Sequence, residues 1–246
     1  MISAEAVSRS FSGRPAVRSL SFTVASGETV GFLGRNGAGK TTTLRLLTGA
    51  LAPSSGRLEV AGAPLPDARR QVQGRIGYLP ELPALHEGMT VAAFLRFCGR
   101  LRDLDASRIE ERLDQVLTSC DLVDSAERRI ETLSKGFRQR VGVAQALIHD
   151  PDLLILDEPT TALDPAQVRD LRDLLVKLST EPREPRRTLL LSTHRLEDVV
   201  ACCRRVLVIS DGELVADEQL ATDLTTADLE RRFLSWTEGA PLEIRS

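Results

Sequence analysis

No stretch of this sequence is long and apolar enough to enter a bilayer and stay there. The longest apolar runs, LLIL at 153–156 and LLL at 189–191, are strand-length, far short of the ~18 residues that a membrane-crossing helix needs. The first residues, MISAEAVSRSFSGR, lack the basic-then-apolar pattern of a secretory signal, so a soluble, cytosolic chain is expected. A basic excess is also missing. The 32 Lys and Arg are outnumbered by 35 Asp and Glu, leaving a net charge of -3, which gives no electrostatic case for a nucleic-acid partner. Aromatics are scarce at 4%. The four cysteines, Cys98, Cys120, Cys202 and Cys203, have no metal-ligand spacing. They are expected to be buried structural thiols, as suits a reducing compartment. The one proline-rich stretch, EPREPRR at 181–187, reads as a charged surface loop without chemistry.

What is present is a regular alternation of strand and helix patterns. A chain of 246 residues holds one good-sized core or two modest domains. Residues 17–33 read as two strands parted by the turn ASGE, and GRLEVAG at 56–62 adds a strand to an N-terminal β layer. From Thr90, a plausible N-cap, the pattern turns helical through VAAFLRFCGRLRDL and RIEERLDQVLTSC. Residues 88–149 are therefore expected to form a helical subdomain inserted between strands. DLLILDEP and RTLLLSTH have the continuous apolar character of strands buried on both faces, with a helix over PAQVRDLRDLLVKLST between them. RVLVISDGELVADE reads as a hairpin turning at Asp211-Gly212, a strong turn pair. The expected body spans 1–218, followed by a short helical tail over 219–246. In that tail Leu229, Phe233 and Trp236 form one helical stripe, which packs on its own domain or serves a dimer or regulatory contact.

The chemistry concentrates in two places. GRNGAGKT at 34–41 fits G-x-x-x-x-G-K-[ST] between a strand and a helix, the context that lifts this motif above chance. Gly34, Gly37 and Gly39 permit backbone conformations closed to other residues, so that successive N–H groups can wrap phosphate oxygens. Lys40 supplies a cation for the β- and γ-phosphates, and the Thr41 hydroxyl suits Mg²⁺. The predicted ATP-binding loop comprises Gly34, Arg35, Asn36, Gly37, Ala38, Gly39, Lys40, Thr41 and Thr42. LLILDE at 153–158 ends in two carboxylates, which strand alternation points in different directions. Asp157 is expected to hold Mg²⁺ through a water, and Glu158 to orient and deprotonate the attacking water. His194, ending the next buried strand, is placed to contact the γ-phosphate. A second phosphate-facing helix mouth opens at LSKGFRQR, 133–140, because the first N–H groups of a helix are unpaired and its dipole favours anions.

These residues resemble the ATP-binding subunit of an ABC transporter over nearly the whole chain. Five elements stand in family order: GRNGAGKTT as Walker A, LSKGFRQR as the signature, LLILDEP as Walker B, TALD at 161–164 as the D-loop, and STH at 192–194 as the switch histidine. The resemblance implies an α/β fold: a P-loop NTPase core with a mixed, mostly parallel sheet, an N-terminal antiparallel β layer and an inserted helical subdomain. It implies that Phe11 stacks on adenine. It also implies that two cassettes pair head to tail, as a homodimer or with a sister subunit. Ser134 and the backbone at Gly136 of one then meet the γ-phosphate held by the other. Arg138 and Arg140 serve as helix-surface cations or as interface contacts.

Three positions depart from the family pattern. Lys135 replaces one of the signature glycines, and Phe137 its glutamine. Glu81, in IGYLPE, replaces the glutamine between core and insert, and as a hard oxygen ligand is expected to touch the metal or its waters when ATP is bound. YLPE, the signature and the tail LERRFLSWTEG resemble the branch that serves export-type membrane partners. The implied activity is ATP hydrolysis driving transport through an integral membrane permease on a separate chain, docked near residues 78–100, with this subunit peripheral on the cytoplasmic face. A soluble ABC-type ATPase acting on DNA or ribosomes is the alternative. Against it stand the about 90 residues between glycine loop and signature, too few for a long coiled coil, and the single cassette. A catalytically silent, nucleotide-gated module is disfavoured by Glu158 and His194.

Overall fold

Alternate residues of the buried strands feed two different cores, and this is why their sequences read as unbroken apolar runs. The computed structural model of the chain describes residues 1–238; the last eight residues of the expected tail lie outside them. Strands β3 (Thr29–Leu33), β6 (Ile76–Leu79), β7 (Leu153–Asp157), β8 (Thr188–Thr193), β9 (Arg205–Ser210) and β10 (Glu213–Gln219) form a six-stranded sheet in the order β10-β9-β3-β8-β7-β6. All its pairings are parallel except β9 with β10. Every residue of β7 and β8 is buried, as a sheet covered on both faces requires. Leu153 and Ile155 face one cluster, Leu154 and Leu156 the other.

The first cluster is closed by a four-stranded antiparallel sheet, β2-β1-β4-β5, made of β1 (Ile2–Phe11), β2 (Arg14–Val24), β4 (Ser55–Val60) and β5 (Ala63–Leu65). The two strands expected over 17–33 thus belong to different sheets: β2 ends in the antiparallel layer and β3 starts the parallel one. The turn between them contains Gly27 at φ 80°. Helix α1 (Lys40–Leu47) contributes Leu44, Leu46 and Leu47 to this core, and α2 (Arg69–Arg75) contributes Val72.

The second cluster is covered by helices. Thr90 caps α3 (Val91–Leu101) by accepting from Ala93 N at 3.2 Å. Asp105 caps α4 (Ala106–Ser119), Ser134 caps α5 (Lys135–Leu147), and Asp164 caps α6 (Pro165–Thr180) with Pro165 in its first turn. The insert does not have a core of its own. Phe94, Leu95, Val116 and Val143 share one apolar cluster with Leu154, Leu156 and Leu189 of the sheet. Helix α5 lies so close to β6 that a Cβ on Gly77 would sit 2.2 Å from Ala146 O. The four cysteines are buried free thiols, and burial pushes those of Cys120 and Cys202 up to about 12.

The charged loop at 181–187 is not wholly a surface feature. Arg187 is 4% exposed, and its guanidinium lies 3.0 Å from Glu181 and 3.1 Å from Asp150. A buried cation needs such partners, and the local composition hides them because Asp150 is remote in sequence. Helices α7 (Leu196–Cys202) and α8 (Thr226–Glu238) finish the described chain. The Leu229–Phe233–Trp236 stripe packs on its own domain: Leu229 is fully buried in the second cluster, and Phe233 and Trp236 lie against it. Leu229→Ala is therefore expected to destabilise the isolated protein by about 3 kcal/mol, the usual loss for a truncated core leucine, read from denaturant unfolding. An unchanged midpoint would mean that the stripe is not part of this core.

Candidate nucleotide site

The glycine loop begins where β3 ends and closes into α1. Its backbone is specific to glycine at two places. A Cβ on Gly34 would meet Ile209 O at 2.6 Å, and Gly39, at φ 106°, would drive one to 2.6 Å from Ala16 O. The loop is pinned from outside by Gly212 N, which donates to Ala38 O at 2.9 Å. Lys40, 6% exposed, turns back into the loop. Its Nζ donates to Gly34 O at 2.8 Å and Arg35 O at 3.3 Å, and lies 3.3 Å from Glu158 Oε1.

Behind the lysine stand the two carboxylates. Strand β7 ends at Asp157, and Glu158 leaves it at φ 49°, a left-handed conformation uncommon for a non-glycine residue. The divergence of the two side chains thus arises from this break in the strand rather than from alternation along it. Ser192 Oγ donates to Asp157 Oδ1 at 3.0 Å. Burial, the largest cause, holds the Asp157 carboxyl above the usual range; the Ser192 and Thr41 hydroxyls oppose the shift, and the charges of Glu158 and Glu81 add to it. Glu158 N donates to Ser192 O at 2.8 Å. Its Oε2 lies 2.8 Å from His194 Nδ1 and accepts from Thr161 Oγ1 at 3.4 Å. Its buried Oε1 has no hydrogen-bond partner.

A cavity of about 440 Å³ opens over Lys40, Glu158 and His194, while Asp157 does not line it. Of the residues singled out in the sequence, Asn36, Gly37, Gly39, Lys40, Thr41 and Thr42 line it from the loop, and Glu81, Glu158 and His194 from the other side. Gly34 and Ala38 are buried in the loop, Arg35 is exposed outside it, and none of the three lines the cavity. Thr161, the first residue of TALD, also lines it, as does Ala16, which carries no sequence signal of its own. Phe11 does not line it. It lies at the tip of β1, 43% exposed, with the Arg9 guanidinium 5.0 Å from its ring centre.

Ser134 and Gly136 are not brought to this cavity. They open α5, where Ser134 Oγ accepts from Phe137 N at 3.4 Å and a Cβ on Gly136 would fall 2.7 Å from Gln167 Cδ. Lys135 beside them is exposed. The two signature arginines have partners in their own chain. Arg138 donates to Glu131 O at 2.8 Å, and Arg140 pairs with Asp121 at 2.6 Å and Asp170 at 3.2 Å.

The residues present fit a triphosphate and Mg²⁺. Lys40 rests on backbone carbonyls, Glu158 Oε1 meets the Lys40 ammonium but accepts no hydrogen bond, and a Cβ on Gly37 would meet nothing within 4 Å. No group of three or more His, Cys, Asp or Glu able to hold a metal exists among the described residues. Thr41 and Asp157 supply two neighbouring oxygens, which suits an ion that keeps several waters and takes the rest of its shell from phosphates.

The sequence model of the ABC transporter family matches residues 17–161, more than half of the chain. The chain belongs to the ABC transporter family. The cassette is similar to YxlF of Bacillus subtilis (strain 168), an uncharacterized ABC transporter ATP-binding protein, at 37% identity over 98% of this chain and 81% of the relative. It is similar to the Nod factor export ATP-binding protein I of Paraburkholderia xenovorans (strain LB400) at 39% identity, over 86% of this chain and 68% of the relative. Among solved structures it resembles cbiO1 from Clostridium perfringens, part of the ABC transporter complex cbiONQ. The TM-score is 0.83 with 27% identity, covering 95% of this chain and 94% of the other. The cassette is accordingly an ATP-binding subunit of ABC type, on a P-loop NTPase fold.

The state of Asp157 gives a direct test. Its folded pKa lies above the unfolded value, so at pH 7 the ionised carboxylate opposes folding. That penalty disappears as pH falls through the folded pKa. Asp157→Asn, which keeps the acceptor for Ser192, is expected to raise the unfolding temperature of the nucleotide-free cassette at pH 7. The gain should shrink to nothing in acid. A variant less stable than wild type at pH 7 would contradict this.

Proposed function

We propose that the cassette binds and hydrolyses ATP with Mg²⁺ in a head-to-tail dimer and thereby drives export through an integral membrane permease on a separate chain, as a peripheral protein of the cytoplasmic face. One observation carries the reading. A single cavity gathers the glycine loop, Lys40 and the Glu158–His194 pair, while the helix mouth at Ser134–Gly136 lies elsewhere on the same chain. A second copy, as homodimer or sister subunit, is what brings such a mouth to the open side of the phosphates. The loop N–H groups hold the β- and γ-phosphates, and Phe11, on leaving Arg9, stacks on adenine.

Lys40 is the moving charge in this scheme. An arriving γ-phosphate draws its ammonium away from Glu158, and a carboxylate that loses its cation becomes the stronger base. Glu158 then accepts the proton of the attacking water, with His194 Nδ1 orienting the carboxylate from the other side. Thr41 and Asp157 would hold Mg²⁺, which would supply charge neutralisation at the phosphate oxygens. The export direction is supported by the YLPE segment and by the name of the Nod factor export relative. The separate permease is consistent with the described residues, which include no helix long and apolar enough to cross a membrane. Its docking segment is assigned to the groove near residues 78–100, where Leu82, Phe97 and Leu101 are exposed.

Glu158→Gln is expected to lower phosphate release by about 10²–10⁴-fold, the effect of removing a positioned general base, and to trap a dimer with Mg-ATP in light scattering. Near-normal turnover, or a protein that stays monomeric with Mg-ATP, would overturn the scheme. Glu81 lines the cavity and its charge acts on Asp157, which supports a contact with the metal or its waters. Glu81→Gln is expected to raise the Mg²⁺ concentration at half-maximal turnover several-fold. An unchanged Mg²⁺ dependence and turnover would remove Glu81 from the site.

A further inference from the structure

The mechanism above leaves one fully buried carboxylate unused. Asp198, in the first turn of α7, is 0% exposed. Its Oδ1 accepts from Arg172 Nε of α6 at 2.7 Å. Its Oδ2 accepts from Thr160 Oγ1, and from Thr193 Oγ1 at 3.4 Å. Thr193 Oγ1 accepts in turn from Arg195 N at 3.0 Å. Thr160 and Thr193 are themselves buried. One carboxylate thus grips the residue two beyond Glu158 and, through Thr193, both neighbours of His194.

Stability does not explain why this ion pair, with its carboxylate fully buried and its arginine 22% exposed, is kept. Desolvating two charges offsets most of their attraction, and apolar residues of similar volume do as well or better. What the pair does supply is a fixed geometry at a place that needs one. Glu158 sits at φ 49°, and such backbone persists only where its surroundings over-determine it. Ser192 O holds the Glu158 N–H from one side, and the Thr160 hydroxyl anchors the loop from the other.

We propose that Asp198, clamped by Arg172, is a positioning residue for hydrolysis, holding Glu158 and His194 in their 2.8 Å contact through Thr160 and Thr193. The role rests on the hydrolysis reading above, with Glu158 as the base. It makes a demand that mere packing does not. At position 160 the hydroxyl, not the volume, must matter.

The test compares Thr160→Val, which keeps the shape and loses the donor, with Thr160→Ser, which keeps the donor and loses a methyl group. Phosphate release by the full chain is measured across ATP concentrations, beside thermal unfolding. Thr160→Val is expected to lower kcat about tenfold, the scale of a small displacement of a reacting group, with KM within about twofold. Thr160→Ser is expected to retain kcat within about threefold. Thr193→Val and Thr193→Ser are expected to rank the same way, which keeps the test intact if one valine variant does not fold. A valine variant as active as wild type, a serine variant slower than its valine counterpart, or a loss confined to KM would overturn the role. The parent reading is read out separately. A wild-type rate no higher than that of Glu158→Gln would fell hydrolysis and the positioning role together, whereas an active wild type matched by Thr160→Val would fell positioning alone.

Discussion

Lys40 and Glu158 approach to 3.3 Å in a space that leaves their side chains 6% and 8% exposed, and the rest of the site is arranged around that contact. Two charges so buried need more than each other. Lys40 takes two loop carbonyls, and Glu158 takes His194 on its second oxygen. The carboxylate oxygen nearest the lysine is left without a hydrogen bond. Such a contact leaves one carboxylate oxygen without a donor. In the proposed reaction the attacking water would supply that donor.

The contact exists because of strand order rather than local sequence. Strands β3, β8 and β7 are adjacent and parallel, so the glycine loop, His194 and the two acids all leave the sheet at its carboxyl edge. Ligands of open α/β sheets bind at that edge. The parallel register sets the finer detail by placing Asp157 beside Ser192, whose hydroxyl and carbonyl then hold Asp157 and Glu158 respectively.

What could be read in the sequence was whatever depends on neighbours along the chain. The glycine loop is recognisable because its spacing is its mechanism. Thr90 announces α3, and Asp211-Gly212 marks a turn whose two residues do adopt φ 48° and 82°. The buried strands declare themselves by unbroken apolar runs. What escaped depends on register across the sheet. Nothing near residues 17–33 says that β2 and β3 part into different sheets, and nothing near Glu158 says that its backbone is left-handed. Ser192 and Thr161 stand within STH and TALD, but nothing there says which carboxylate each binds, and Asp198 and Arg187 look like ordinary surface charges until their partners arrive from remote segments.

Helix α6 connects these separate observations. Gln167, in its first turn, packs on Gly136 of the signature; Asp170 pairs with Arg140 of α5; and Arg172 clamps Asp198. Packed elements of this kind have discrete arrangements rather than continuous ones, because interiors are close-packed. The helix mouth assigned to a partner's phosphate and the loops that hold this chain's own Glu158 therefore rest on one rod. In the proposed head-to-tail pair, α6 would thus join the mouth offered to one cavity to the loops of the other.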